Sequence, residues 1–586
     1  MNKNQENQEL FTDVTLKGFI VPSGHILRIA TKDGEELVKL PGQQSGANFK
    51  LHDVVQGLVP GWVLEEADVS SASENKVEFP DEIYEITQDI RNNGGDLLFV
   101  GGIVRDSQLG IDNKDIDVEV YNLPAENLIP ILSQYGKVDQ VGVSFGVIKL
   151  TTETMDYDFS LPRRENKEGA GHKGFVVTPD HTMTPKEAAS RRDFTFNGLA
   201  LTPEGQVLDF FNGLADLKDR RLRHISEKFA EDPLRVLRGF QFAARFNMTM
   251  DDSTAELASS LKSEYRTLAK ERVWGEWQKW ATKGAVPSAG LRVLDQTGWI
   301  DFYPELKNLK GIMQDDEWHP EGDVWEHTLH VVDGAAEIAD RDGLVGEDRL
   351  VLLLAALCHD LGKPSTTVIG DDGRWHAPRH PQEGVDLTKS FLRKIGASER
   401  IVEKVCPLVA EHMAHLNDIT PRAVRRLALR LDPTNIEMLV RVIEADHSGR
   451  PPLPKELPKS AKDLLKMAHQ VRLGESKPKP ILTGKHLLEL ATEGKIPEEY
   501  ATGGPHFGTL LNSMFEKQLE GDFEDEASAV EYLLRMFSLD YKNAIVFTGT
   551  LEDSKKEKLM RYAQTSGMDI ESIWQKGEEY VRKIVE

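Results

Sequence analysis

With only two cysteines in 586 residues, Cys358 and Cys406, the chain has no material for a disulfide framework or a cysteine zinc cluster. A reducing cytoplasm is the expected setting. Long apolar runs are also missing, and none approaches the roughly 18 residues that a membrane helix requires. The longest, LVLLLAALC from Leu350, ends in the polar pair His359 and Asp360. The first residues, MNKNQENQEL, lack the basic and then apolar layout of a secretory signal. Nothing points to a membrane or to an obligate protein partner. Positive charge is in deficit, with 71 Lys and Arg against 96 Asp and Glu and a net charge of -25. Phosphate binding runs largely on Lys and Arg, so the surface as a whole does not suit a nucleic acid. The basic groups nevertheless gather in RRENK, RRD, DRRLRH and LRVLRG between Arg163 and Gly239, which leaves room for one locally basic face.

Length sets the next bound, because about 150 residues per domain gives roughly four domains. A hydrophobic content of 39% and a charged content of 28% are those of a soluble globular protein. Residues 1–78 alternate apolar and polar positions around PSG and KDG turns and read as a small β-rich extension. Residues 79–185 alternate helical and strand patterns, with strands at LLFVGG, FGVIKL and YDFSL, and NKEGAGHKG after Glu165 reads as a mobile loop. Apolar spacing turns helical over 186–310 and again over 311–455. The proline-rich RPPLPKELPKS then reads as a linker into a helical, acidic remainder over 456–586. The expected fold is multidomain α+β, an α/β head with a mixed sheet followed by largely helical domains.

The densest chemistry lies in GGIVRDSQLGIDNKDIDVEV, residues 101–120. Gly101 and Gly102 after a strand let the backbone approach a phosphate, because no Cβ stands in the way. Arg105 can meet phosphate oxygens. Asp115 and Asp117, two apart on a strand, point the same way and can hold Mg²⁺ between them. Glu119 shares that face, and its place is open between a third member of the carboxylate set and the solvated end of the strand. The stretch reads equally as a glycine turn leading into a half-buried edge strand with its acids in water.

GGIVRD followed by KDIDVEV resembles the head-domain signature of the class II nucleotidyltransferases, the family of bacterial CCA-adding tRNA nucleotidyltransferases and poly(A) polymerases. The resemblance continues in order through RRDFTFNGLAL from Arg191, DFFNGLADLKDRRLRH from Asp209 and EDPLRVLRGFQFAARF from Glu231. It implies that Asp115 and Asp117 are the catalytic ligands of Mg²⁺, that Gly101, Gly102 and Arg105 contact the triphosphate, and that Arg192, Asp193 and Asn197 hold sugar and phosphates. Residues 79–185 become the head and 186–310 the neck that recognises the nucleotide. In EDPLRVLRG, Asp232, Arg235 and Arg238 recur at three-residue spacing and are expected on one helical face. A carboxylate accepting from an exocyclic amine and a guanidinium donating to a ring nitrogen would take C and A and reject U and G. Many relatives carry a further Arg where this chain has Gln241.

A second ordered set comprises His327, the pair His359 and Asp360, His380, His412 and Asp446. Imidazoles and carboxylates on the inward faces of a helical bundle suit divalent transition metals. The set resembles the HD superfamily of metal phosphohydrolases, which would place that domain at 311–455. The resemblance implies a first metal (Ni, Mn, Co or Mg) on His327, His359, Asp360 and Asp446, with a second metal or a phosphate on His380 and His412. PILTGKHLLELA and GGPHFGTLLNSMFEKQLEGDF resemble the C-terminal tRNA-binding arm of HD-bearing members, over 456–586. The implied function is template-independent addition or repair of the 3′-terminal CCA of tRNA from CTP and ATP, with hydrolysis of terminal or 2′,3′-cyclic phosphates by the HD domain. A poly(A) polymerase, a partial CC- or A-adding enzyme, and an RNA-binding scaffold with degenerate sites remain the alternatives.

Overall fold

The computed structural model describes residues 25–31, 34–39, 55–60, 68–70, 79–113, 115–139, 147–167, 175–502, 504–547, 558 and 560–563. These divide into two compact units, one of 1–311, 339–353 and 391–397 and the other of 312–338, 354–390 and 398–586.

In the first unit, β1 (His25–Thr31), β2 (Gly34–Lys39) and β3 (Val55–Pro60) form a small antiparallel sheet in the order β2-β1-β3. The next strand, β4 (Asp68–Ser70), belongs elsewhere and pairs with β13 (Val207–Asp209) at one edge of the head sheet. A boundary at 78 therefore cuts off a strand of the head. That sheet also contains β5 (Asp96–Val100), β6 (Ile116–Tyr121), β7 (Lys137–Asp139), β8 (Val147–Thr151), β9 (Asp156–Ser160) and β12 (Ala200–Leu201), in the order β4-β13-β12-β5-β6-β9-β8-β7. β6 and β9 run parallel and the other neighbours antiparallel, so the sheet is mixed as expected. β5, the run LLFV, is buried throughout because it lies inside the sheet with both faces covered. β6 alternates, with Ile116, Val118 and Val120 buried and Asp117 and Glu119 half-buried on the other face. Helix α1 (Asp81–Asn92) covers the core with Ile83, Ile86 and Ile90 at helical spacing. The stretch expected as a loop is a hairpin at its ends, β10 (Arg163–Lys167) pairing with β11 (Phe175–Pro179). Residues 168–174 of that stretch lie outside the described residues.

The neck is built on α2 (Leu234–Phe246), whose buried face packs Phe240 on Trp277 at 4.6 Å and on Trp280 at 5.8 Å between ring centres. Both tryptophans come from α3 (Lys270–Lys283). In the second unit, the ends of α4 (Val324–Arg341), α5 (Gly346–Cys358), α6 (His380–Ile395), α7 (Glu399–Glu411) and α8 (Ile436–Ser448) supply the second set of polar residues. Cys358 and Cys406 are both buried and form no disulfide. The proline-rich stretch after α8 is irregular until Lys459, and the helices beyond it carry a separate apolar cluster that includes Leu487, Leu510 and Leu533. No helix among the described residues is long and apolar enough to cross a membrane.

Candidate active sites

The head and neck enclose a cavity of about 580 Å³ lined by Gly101, Gly102, Asp117, Glu119, Asp158, Asp193, Asp232 and seven arginines, at positions 105, 163, 191, 192, 235, 238 and 272. Seven guanidinium groups against five carboxylates make this one basic pocket in an acidic protein, and such a pocket suits a triphosphate.

Sequence alternation brings Asp117 into the cavity, and topology adds a carboxylate that local pattern does not show. Asp158 stands directly opposite Asp117 in the parallel register of β6 and β9. Burial and then the Asp158 carboxylate push Asp117 above the usual carboxylate range, Arg192 opposes this, and Asp115 and Glu119 add to it. A divalent cation relieves that repulsion, so the donor set fits Mg²⁺. Asp115 is exposed and precedes the strand by one residue, its amide donating to Asn113 Oδ1 at 3.0 Å. Gly101 has φ of +74°, and a Cβ there would lie 3.1 Å from Asp117 Oδ2. The glycine therefore spares the carboxylate as well as any phosphate.

Several expected ligand contacts are occupied by the protein itself. Arg105 is buried, with Nε on Asp106 Oδ1 at 2.7 Å, Nη1 on Asn197 Oδ1 at 2.9 Å and its guanidinium over Phe246 at 4.9 Å. It braces the cavity wall. Asn197 donates to Asp193 at 2.8 Å, and Asp193 accepts from Arg238 Nε at 2.6 Å. Glu119, left open by the sequence between carboxylate set and solvent, accepts from Tyr121 at 2.5 Å and from Arg192 Nη2 at 3.1 Å, and so positions Arg192 in the cavity. Asp232 is not on the helical face: it has extended backbone two residues before α2, caps the Leu234 amide at 3.1 Å and takes Arg272 at 2.7 Å. Arg235 donates to the carbonyls of Lys228 and Arg191 at 2.6 and 2.5 Å. Asp232, Arg235 and Arg238 still line the same cavity. Gln241 is buried within α2, its Oε1 without a hydrogen-bond partner among the described residues.

In the second unit all six expected residues converge. His359 Nδ1 faces the Ala356 carbonyl, His380 Nδ1 that of Ala377 and His412 Nδ1 that of Val409, each at 2.7 Å. A carbonyl only accepts, so Nδ1 carries the proton and each Nε2 turns a lone pair inward. His327 Nδ1 lies 2.6 Å from the Glu321 carboxylate, which also only accepts, and in metal-free protein its Nε2 is protonated toward Asp446. The inward atoms are close: His327 Nε2 to Asp446 Oδ1 3.0 Å, His359 Nε2 to Asp360 Oδ2 3.1 Å, His380 Nε2 to Asp360 Oδ1 3.4 Å, and His380 Nε2 to His412 Nε2 3.1 Å. His359 Nε2 is buried with no hydrogen-bond partner among the described residues. Two lone pairs facing at 3.1 Å and an orphaned imidazole nitrogen fit a cation between them. The residues group as His327, His359 and Asp446, and as Asp360, His380 and His412, two sets that could each hold a metal ion. The structure adds Glu321 and Lys363, whose Nζ lies 2.7 Å from Asp360. A carboxylate behind a ligating His is a recurrent supporting contact, but the spacing EGDVWEH carries no periodic signal for it.

These groups have opposite pH signatures in metal-free protein. Burial, reinforced by His380 and His359, lowers His412 to about 3. Between about 3 and 6.5 the unfolded chain binds the extra proton, so this contribution is complete above 6.5 and fades as pH falls. Burial also disfavours charge on His327, but Asp446 and Glu321 overrule it and raise the group to about 9. Its contribution is complete below 6.5 and is lost as pH rises through 9. Thermal melting of chelator-treated protein is expected to lose stability from about pH 7 to 5, and His412→Gln is expected to flatten that slope. An unaltered slope in the variant would refute the assignment.

Residues 97–223 match the family model described as the Poly A polymerase head domain, and residues 324–446 match the HD domain. The "Multifunctional CCA protein" of Pasteurella multocida (strain Pm70) is 34% identical over 367 residues, covering 60% of this chain and 84% of that protein. The one from Aliivibrio salmonicida (strain LFI1238) is 33% identical over 368 residues, covering 60% and 85%. The chain belongs to the multifunctional CCA protein family. As a member, it carries the class II nucleotidyltransferase head together with an HD domain, and both of these families are metal-dependent. The fold agrees with solved structures. The Bacillus stearothermophilus CCA-adding enzyme in complex with CTP superposes with a TM-score of 0.53 at 19% identity, over 79% of this chain and 98% of that one. A CCA-adding enzyme in complex with ATP gives 0.51 at 19% identity, over 78% and 96%.

Proposed function

We propose that this family member builds or repairs the CCA end of tRNA from CTP and ATP, in the cytoplasm, with Mg²⁺ at Asp115 and Asp117. The supporting observation is one cavity lined by Asp117 and Asp158 together with Asp232, Arg235 and Arg238. When bound, Mg²⁺ supplies Lewis-acid activation of the α-phosphate. The chain's own groups do the rest. Arg192, held by Glu119, meets the triphosphate, while Asp232 accepts from the exocyclic amine of C or A and a guanidinium of Arg235 or Arg238 donates to the ring nitrogen. The protein template thereby replaces a nucleic-acid one. The helices beyond 456 serve as the tRNA-binding arm.

The decisive assay supplies tRNAs ending one, two or three nucleotides short of CCA with each NTP separately and reads product ends at nucleotide resolution. Stepwise C, C and A with arrest is expected. Arrest after CC, addition of A alone, or an unlimited A tail would replace this reading with that of a partial enzyme or a poly(A) polymerase. Asp232→Ala is expected to raise UTP incorporation relative to CTP by about tenfold, the loss of one charged hydrogen bond. Unchanged selection would remove Asp232 from base recognition.

The second cavity is proposed to hydrolyse terminal or 2′,3′-cyclic phosphates, with a divalent transition metal on His327, His359, Asp360 and Asp446. The four inward Nε2 atoms carry this reading. His359→Ala is the test, and it should abolish metal-dependent phosphoester hydrolysis while CCA addition continues.

A further inference from the structure

The HD cavity has a part that metal chemistry does not explain. Of the nine large apolar side chains exposed among the described residues, three line this one cavity of about 580 Å³: Met313 at 50%, Trp318 at 57% and Leu416 at 64%. Trp375 joins them, and Lys363 and Arg450 lie in the same lining beside the metal-ligating floor. Phosphate and metal need no apolar rim, and clustered exposed apolar groups mark a binding surface.

The loop that carries Trp318 is held on both sides. Arg374 reaches Asp315 through Nε at 2.5 Å and Nη2 at 2.6 Å, and the same Nη2 meets Glu317 at 2.6 Å. On the other side His319 Nδ1 lies 2.9 Å from Glu321, the residue that also orients His327. The indole is therefore presented by a fixed loop, and the loop is tied to the metal-ligating histidine. A flat aromatic face in the same cavity as cationic groups matches a base followed by its phosphate.

We infer that Trp318, with Met313 and Leu416, forms a nucleobase platform, so that the HD cavity selects the 3′-terminal nucleotide of an RNA and not phosphoesters in general. This rests on the hydrolase reading above and names its substrate class. The base stacks on Trp318, and Lys363 and Arg450 neutralise the ribose phosphate. Hydrolysis adds the oxygen of water to phosphorus, breaks the bond to the ribose oxygen and returns a proton to that oxygen. The platform takes no part in bond breaking, so it acts on KM.

The test compares adenosine 2′-monophosphate with glycerol 2-phosphate, which has no base, on full-length protein supplied with Mn²⁺. For Trp318→Ala the ratio of kcat/KM for the nucleotide over the glycerol ester is expected to fall about tenfold or more, through KM, and Trp318→Phe should restore most of it. A second readout needs no metal. In chelator, with CTP saturating the transferase cavity, calorimetric titration should show adenosine 2′-monophosphate bound about tenfold more weakly by Trp318→Ala. An unchanged ratio, an equal fall for both esters, or unchanged affinity overturns the platform. If the parent protein hydrolyses neither ester with any divalent metal, the hydrolase reading fails, and the calorimetry still decides the platform.

Discussion

Replacing Asp117 by asparagine is expected to abolish CCA addition while leaving the head as stable as before or more so. The carboxylate is half-buried on β6 with Asp158 opposite it and Asp115 and Glu119 close by, and Arg192 offsets part of the repulsion. Amide substitution removes one negative charge from that cluster and so relieves the folded state. It also removes a metal-binding oxygen. The several kcal/mol that a bound cation contributes at a phosphoryl transition state correspond to roughly three decades of rate. Single-turnover extension of a tRNA lacking its terminal A measures the loss, and a thermal melt of the same sample measures stability. Opposite signs in the two measurements identify a functional carboxylate. Normal addition, or a large drop in melting temperature, would instead mark Asp117 as a structural group and undo the site.

The same strand shows what a single sequence can and cannot reveal. Ile116, Val118 and Val120 sit behind Asp117 because a strand alternates faces, and that period is visible in six residues. Asp158 is just as close but lies forty-one positions away, and only the register of two parallel strands makes it a neighbour. The HD residues were legible for a different reason. A His-Asp pair at the end of an apolar helix is costly to bury without a partner, so it marks itself in the sequence. Three-residue spacing cannot distinguish a helix face from an extended residue just ahead of the helix, and Asp232 is the latter. The role of Glu119 stays open in the sequence because its partner Arg192 needs the folded chain to reach it.

The sharpest conflict between pattern and structure concerns Asp193, and substitution there carries the second large effect. The motif RRDFTFN implies ligand contact for this residue, yet its carboxylate is buried and already accepts from Arg238 at 2.6 Å, from Asn197 at 2.8 Å and from the Phe194 amide at 2.8 Å. Burial alone would raise its pKa, and Arg238 and Asn197 hold it below the usual range instead. Removing the acid leaves Arg238 facing the cavity without its partner, and Asn197 loses its acceptor while still holding Arg105. The Arg238 side chain is 35% exposed, so breaking this part-buried pair from one side costs less than the about 3–5 kcal/mol of a fully buried one. Asp193→Ala is therefore expected to lower the denaturation midpoint of the head strongly and to reduce CCA addition only as a consequence. The double variant Asp193→Ala, Arg238→Met should recover much of the stability, because no unpaired charge remains. A single variant that melts like the parent but no longer binds CTP would instead return Asp193 to the role of a ligand contact.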